Sequence, residues 1–321
     1  MEHCPFRRHE SNPIITLDDL AFEANGVFNP GVTMIDGETI LLLRIERREG
    51  ISELRVARSE NGVDNWKIAD EALLEPDLPQ FPYEEWGCED PRITLLEDGR
   101  WAIAYAAYGR YGPTVAIAVT DDFETCERLG TVTMPPNKDA ALFPCKFDGR
   151  WLMVNRPETS GSEQIWYSFS DEDRLADWML PGLLIPTHLG PWWDAERIGA
   201  GAPPIRTDEG WLLIYHGAKA AAGGMVYRLG VVLLDLDDPR KVIARARNWV
   251  LAPREPYEIV GIAQNVVFTC GASIRDDEVW MYYGAADTCV GLAIAKLTDL
   301  VQFVLEHNFL DEVGRDKGMA F

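Results

Sequence analysis

Five times along the chain, a short turn of Asp, Glu and Gly leads into an apolar run that ends in polar or charged residues. The copies are Asp36-Gly37 before the run 40–43, Asp98-Gly99 before 101–105, Asp148-Gly149 before 151–154, Glu209-Gly210 before 211–215, and Asp277-Glu278 before 279–283. Asp-Gly between apolar runs is a hairpin signal. A shorter apolar run precedes each copy and a third one follows it, so each copy reads as three or four antiparallel strands. Five such units in step predict an all-β chain folded as a five-bladed β-propeller. A β-sandwich or jelly roll with fortuitous hairpins is the competing all-β reading, and the regular recurrence disfavours it. Helical periodicity is scarce. Residues 299–312 suit a short helix or a strand closing the ring, and the Trp- and Pro-rich stretch 171–193 reads as a loop. With no linker or shift in composition, residues 1–321 are expected to form one propeller domain with short N- and C-terminal extensions.

Composition narrows the partners. Hydrophobic residues make up 47% of the 321, enough for a large core, while 52 acidic residues against 30 basic ones give a net charge of -22. That field repels nucleic acid and anionic lipid, so neither is an expected partner. No apolar segment follows the polar N-terminus or reaches membrane-spanning length, and the six cysteines are scattered without CxxC spacing. Together these predict a cytoplasmic protein with reduced thiols. The five histidines show no ligand spacing, so no metal is expected.

In a propeller the first strand of each blade lines the axis, and polar residues at those strand starts converge. The starts read Asn29-Pro30-Gly31, Asp90-Pro91-Arg92, Lys138-Asp139-Ala140, Gly199-Ala200-Gly201 and Asn265-Val266. Asx-Pro pairs are also ordinary turn initiators. For any one of them the two readings compete evenly, and the set across blades favours a site. Cations cluster nearby in sequence terms: Arg44, Arg47, Arg48, Arg92, Lys138, Lys146, Arg156, Arg197 and, when protonated, His216. Arg58, Arg100, Arg128 and Arg150 read instead as solvated surface. Trp86, Tyr108, Trp192, Trp193 and Tyr283 flank the region and offer faces for sugar rings, although each alone is an equally good packing residue.

These motifs, with 44–48, Asn137-Lys138-Asp139-Ala140-Ala141, 198–204, Tyr215-His216-Gly217 and 283–287, closely resemble the family-130 glycoside hydrolases and phosphorylases, the β-mannoside phosphorylase group. The resemblance runs from about residue 12 to residue 300 and carries a five-bladed propeller with it. It implies an inverting phosphorolysis in which phosphate attacks the anomeric carbon of a terminal β-mannoside (β-1,4- or β-1,2-linked) and releases α-mannose 1-phosphate. Asp90 matches the family's acid, which acts through the mannose 3-hydroxyl. Arg44, Lys138, Arg156, Arg197 and His216 match its phosphate site, Arg197 standing where many relatives carry Lys. Asn29, Arg47, Tyr108, Asp139 and Asp287 are the expected sugar contacts. Phosphate is already an anionic nucleophile and needs no base, unlike the usual inverting pair of carboxylates about 6.5–9.5 Å apart. Asp90 is then expected to hold a proton in the resting complex, helped by burial and by Glu89 or Asp139.

No cofactor beyond the phosphate co-substrate is expected, and the oligosaccharide is the other partner. Relatives often assemble, which leaves a homo-oligomer open. Three other functions compete: a hydrolase of the same family, a carbohydrate-binding propeller without turnover, and an arabinanase-like glycosidase using Asp90, Asp139 and Glu196. The intact basic set disfavours all three.

Overall fold

The computed structural model describes residues 4–159, 162–171 and 174–310. The protein is nearly all β, built from five antiparallel units in chain order. The first comprises Ala24–Ile35, Glu38–Arg47, Ser52–Ser59 and Lys67–Ile68. The second comprises Gly87–Leu95, Trp101–Gly109, Gly112–Thr120 and Glu127–Thr131. The third comprises Asn137–Phe147, Arg150–Thr159, Ile165–Ser170 and Met179–Ile185. In the fourth, the broken strand Arg197–Ala200 and Ile205–Arg206 precedes Trp211–Ala221, Gly224–Leu234 and Val242–Arg245. The fifth comprises Val267–Arg275, Glu278–Ala285 and Cys289–Lys296.

The fifth unit takes its outer strand from the other end of the chain, Arg7–Arg8 pairing with Ile294 and Ala293. Arg8 is locked there by the fully buried Glu258, at 2.6 and 2.7 Å. Of the stretch 299–312, read as a helix or a closing strand, the described part falls in the helix Leu297–Glu306 and the few residues after it, while 311–312 lie outside the described residues. The stretch 171–193, read as a loop, supplies the outer strand Met179–Ile185 of the third unit. Pro181 sits within this strand, whose outer edge has no neighbour to lose a hydrogen bond to.

The repeated apolar runs face the neighbouring units. Ile40, Leu42 and Leu54 pack on Ile93, Ile103 and Tyr105 of the second unit. Ala104 and Ile117 meet Leu142 and Met153 of the third, and Leu152 and Val154 meet Leu213 and Val232 of the fourth. Ile214 and Leu229 meet Val267 and Met281 of the fifth, and Tyr282 and Leu292 return to Leu41 and Leu43 of the first. Five interfaces thus join five units, and burial of these aliphatic faces is the dominant favourable term holding them.

Candidate active site

Three first strands carry the same irregularity. Pairing slips between Phe28 and Gly31, between Glu89 and Arg92, and between Lys138 and Ala141. Within the slips Asn29, Asp90 and Asp139 have left-handed backbones, φ 46°, 51° and 54°. Asn and Asp tolerate this region better than other side-chain-bearing residues because their short polar groups bond locally. A bulge bends its strand and re-aims the side chain it carries. All three of these side chains are buried.

The first two meet. Asn29 Nδ2 donates to Asp90 Oδ1 at 2.8 Å, and Arg44 Nη1 donates to the same oxygen at 3.0 Å. Arg44 Nη2 reaches Glu89 Oε1 at 2.8 Å and its Nε reaches Ser52 Oγ at 3.0 Å, with the Phe28 ring 4.6 Å from the guanidinium carbon. One planar fork therefore holds two consecutive carboxylates, a geometry lysine could not reproduce.

The third belongs to a second cluster. Asp139 Oδ2 lies 2.9 Å from Arg156 Nη1 and 3.3 Å from His216 Nε2. Arg92 ties the clusters together, donating to the Asp90, Ala200 and Gly201 carbonyls at 3.0, 2.7 and 2.8 Å, with Asp139 Oδ1 at 3.4 Å. The close approach requires glycine at 199, where a Cβ would fall 2.3 Å from Asp139 Oδ2. On the far side Glu163 bridges Arg156 Nη2 and Arg197 Nη2, at 3.1 Å each.

Electrostatics divides the acids. Burial raises the pKa of Asp90, but Arg44, Lys138, Arg92 and the Asn29 amide outweigh it and hold the carboxyl below its usual range. The free protein thus holds Asp90 ionised, whereas the proton expected on it belongs to the complex with phosphate and sugar bound. The carboxyls shifted toward holding one are Glu89, raised by burial against Arg44, and Asp287, pushed up to about 6 by burial with Asp90 and Glu46 adding to it. Asp139 is buried, yet Arg156, His216 and Arg92 hold it well below the carboxylate range. Burial, helped by Arg156 and Arg92 and opposed by Asp139, lowers His216 to about 4, so the imidazole is neutral near pH 7. The cationic cradle is thus more nearly balanced than its sequence implied, because Arg44, Arg156 and Arg197 each hold a carboxylate.

Of the expected site residues, Asn29, Arg44 and Asp90 form one contact network, and Asp139, Arg156, Arg197 and His216 join through the second. Lys138 and Asp287 act on the first electrostatically. Arg47 stands apart, paired with Glu53 and Glu75. Tyr108 packs edge-on against the half-exposed Trp86, ring centres 5.3 Å apart. Trp193 and Tyr283 are core residues and offer no sugar platform. Arg128, read as solvated, pairs with the buried Glu84, which also accepts from Tyr105 Oη at 2.7 Å. Arg92 was visible only as one cation among several. Glu163 was not among the expected site residues, because the sequence places it only in a loop, 158–163, expected to shape the outer sugar subsite.

A family model described as β-1,4-mannooligosaccharide phosphorylase, glycoside hydrolase family 130, matches residues 6–306. The chain belongs to glycoside hydrolase family 130. Among similar members, a β-1,4-mannooligosaccharide phosphorylase of Ruminococcus albus is 34% identical, covering 94% of this chain and 91% of the relative. A 1,2-β-oligomannan phosphorylase of a Thermoanaerobacter species is 40% identical, covering 78% and 80%. The family-130 fold is also seen in a solved β-1,2-mannobiose phosphorylase from Listeria innocua, in complex with β-1,2-mannobiose. It superposes with a TM-score of 0.86 at 29% identity, covering 94% of this chain and 99% of that one.

Proposed function

We propose that this family-130 enzyme is an inverting β-mannoside phosphorylase with Asp90 as its acid. The observation that carries the reading is Arg44, a candidate phosphate ligand, bound directly to the candidate acid at 3.0 Å. Relatives named as phosphorylases across nearly the whole chain support it.

In the free protein Arg44 keeps Asp90 ionised. Phosphate arriving among Arg44, Lys138, Arg156 and Arg197 shares the guanidinium and adds negative charge, and both changes raise the affinity of Asp90 for a proton. The protonated Asp90 then passes its proton to the departing glycosidic oxygen, through the mannose 3-hydroxyl as the family resemblance implies. A phosphate oxygen bonds to the anomeric carbon as the C–O bond breaks, giving α-mannose 1-phosphate and a shortened acceptor. Neutral His216 contributes hydrogen bonding and no charge, and Asp139 holds Arg156 in place.

We further read the five units as blades of a five-bladed propeller forming one domain. The interface returning from the fifth unit to the first supports this, as does the N-terminal strand closing the fifth. Six free thiols support a reducing, cytoplasmic location. Phosphate and a manno-oligosaccharide suffice as reactants, with no cofactor.

Glu163 favours one second reading, since a carboxylate beside the anion site is what a hydrolase needs as base. Incubation with β-1,4- or β-1,2-mannobiose separates the two. Cleavage only with phosphate, with α-mannose 1-phosphate seen by ³¹P NMR, is expected; equal cleavage without phosphate would overturn the phosphorylase.

A further inference from the structure

We propose that Glu163 selects the anion this site accepts, admitting hydrogenphosphate, which carries a proton to donate, and rejecting sulfate, which does not. The inference rests on the phosphorylase reading and concerns its nucleophile subsite.

Glu163 lies on the short strand Ser162–Glu163, paired antiparallel with Glu158 and parallel with Arg197. Its register therefore sets its carboxylate between the third and fourth units, with Oε1 on Arg197 Nη2 and Oε2 on Arg156 Nη2. Arg156 is 2% exposed and the Glu163 side chain 19%. The Oε2 contact is an ion pair without hydrogen-bond alignment. Among the described residues Oε2 has no hydrogen-bond donor, and Arg156 Nε and His216 Nδ1 have no partner. Uncommitted nitrogens and an uncommitted acceptor oxygen thus belong to one contact cluster.

An ionised carboxylate only accepts and a guanidinium only donates. A tetrahedral anion spanning Arg156 and Arg197 must present bare oxygens to them, and a hydrogen where it meets Oε2. Hydrogenphosphate does both. Sulfate, fully deprotonated near pH 7, brings lone pairs against the lone pairs of Glu163 at a poorly solvated point. Retreat of Glu163 is costly, because it would strand the buried Arg156 with less compensation.

The test measures cleavage of β-mannobiose at limiting phosphate with added sulfate, and separately with arsenate replacing phosphate. Hydrogenarsenate carries the same proton and is expected to support cleavage. The wild-type sulfate inhibition constant is expected to exceed the phosphate KM by about a hundredfold, the scale on which an unpaired buried polar group is rejected. In Glu163→Gln the amide can donate, so the sulfate constant should fall about tenfold or more while the phosphate KM rises. Wild-type inhibition by sulfate at the phosphate KM would overturn the proposal. So would a Glu163→Gln enzyme that keeps the wild-type phosphate-to-sulfate ratio. If that variant fails to fold, Glu163→Asp is expected to keep sulfate rejection with weaker phosphate binding, and loss of rejection there counts against the proposal. Cleavage without any phosphate would sink the phosphorylase reading itself. A strict phosphate requirement with equal sulfate binding would sink only the role of Glu163.

Discussion

Arg44 and Asp90 lie on neighbouring units, 46 residues apart, and share a 3.0 Å ion pair in the free protein. The acid and a phosphate ligand are therefore one electrostatic unit. Asp90→Asn keeps a side chain that tolerates the left-handed backbone, and is expected to fold while turnover falls about 10²–10⁴-fold. Asp90→Ala is expected to be less stable than Asp90→Asn by roughly 1–2 kcal/mol, from the left-handed region alone. Activity assays beside chemical denaturation of both variants check this.

Arg44→Lys should keep a charge near Asp90 but lose the fork that also holds Glu89. The expected result is a phosphate KM raised about tenfold or more, with the mannobiose KM changed less. Initial-rate kinetics with each substrate varied in turn decide it.

Gly199→Ala places a methyl group 2.3 Å from Asp139 Oδ2 and 2.5 Å from His216 Cε1. Displacing this cluster should raise the phosphate KM and cost roughly 1–3 kcal/mol of stability, the usual range for overpacking. Denaturation and phosphate saturation curves measure both.

Asp287 has a folded pKa of about 6, above its ordinary 3.8. Such a carboxyl binds its proton more tightly when folded, so its contribution is present below the unfolded value and is lost as pH rises through about 6. Asp287→Asn should remove that loss and gain on wild type by about 2 kcal/mol between pH 4 and pH 7. Paired urea denaturation curves at the two pH values test the sign.

His216, lowered to about 4, should leave no titration between pH 5 and pH 8. Its ring-proton NMR resonance, assigned with His216→Gln, is expected to move only near pH 4. A midpoint near 6.5 would show a charged imidazole available to phosphate.

Much of the site was legible because it depends on short-range constraints. The hairpin turns recur, and Asn29, Asp90 and Asp139 stand at polar strand starts expected to converge; that they are left-handed bulges, and that Gly199 makes room for Asp139 and His216, only the structure showed. Alternating apolar faces required neighbours to cover them, which made five repeated units readable before any contact was seen. The outer strand at 179–185 was not legible, since its composition resembles a loop and pairing alone makes it a strand. Nor was the closing role of Arg7–Arg8, which depends on Glu258, 250 residues away.

The sequence by itself determined the repeat, the family and the residue types at the starts of the first strands. Tertiary structure decided which charges meet: Arg44 with Asp90, Glu163 between Arg156 and Arg197, and Asp139 beside His216. Turn chemistry and hydrophobic period act over a few residues, whereas ionisation depends on burial and on charges a few ångströms away. Only the fold brings those together, and so only the fold shows which carboxyls are pushed toward a proton and which away from it.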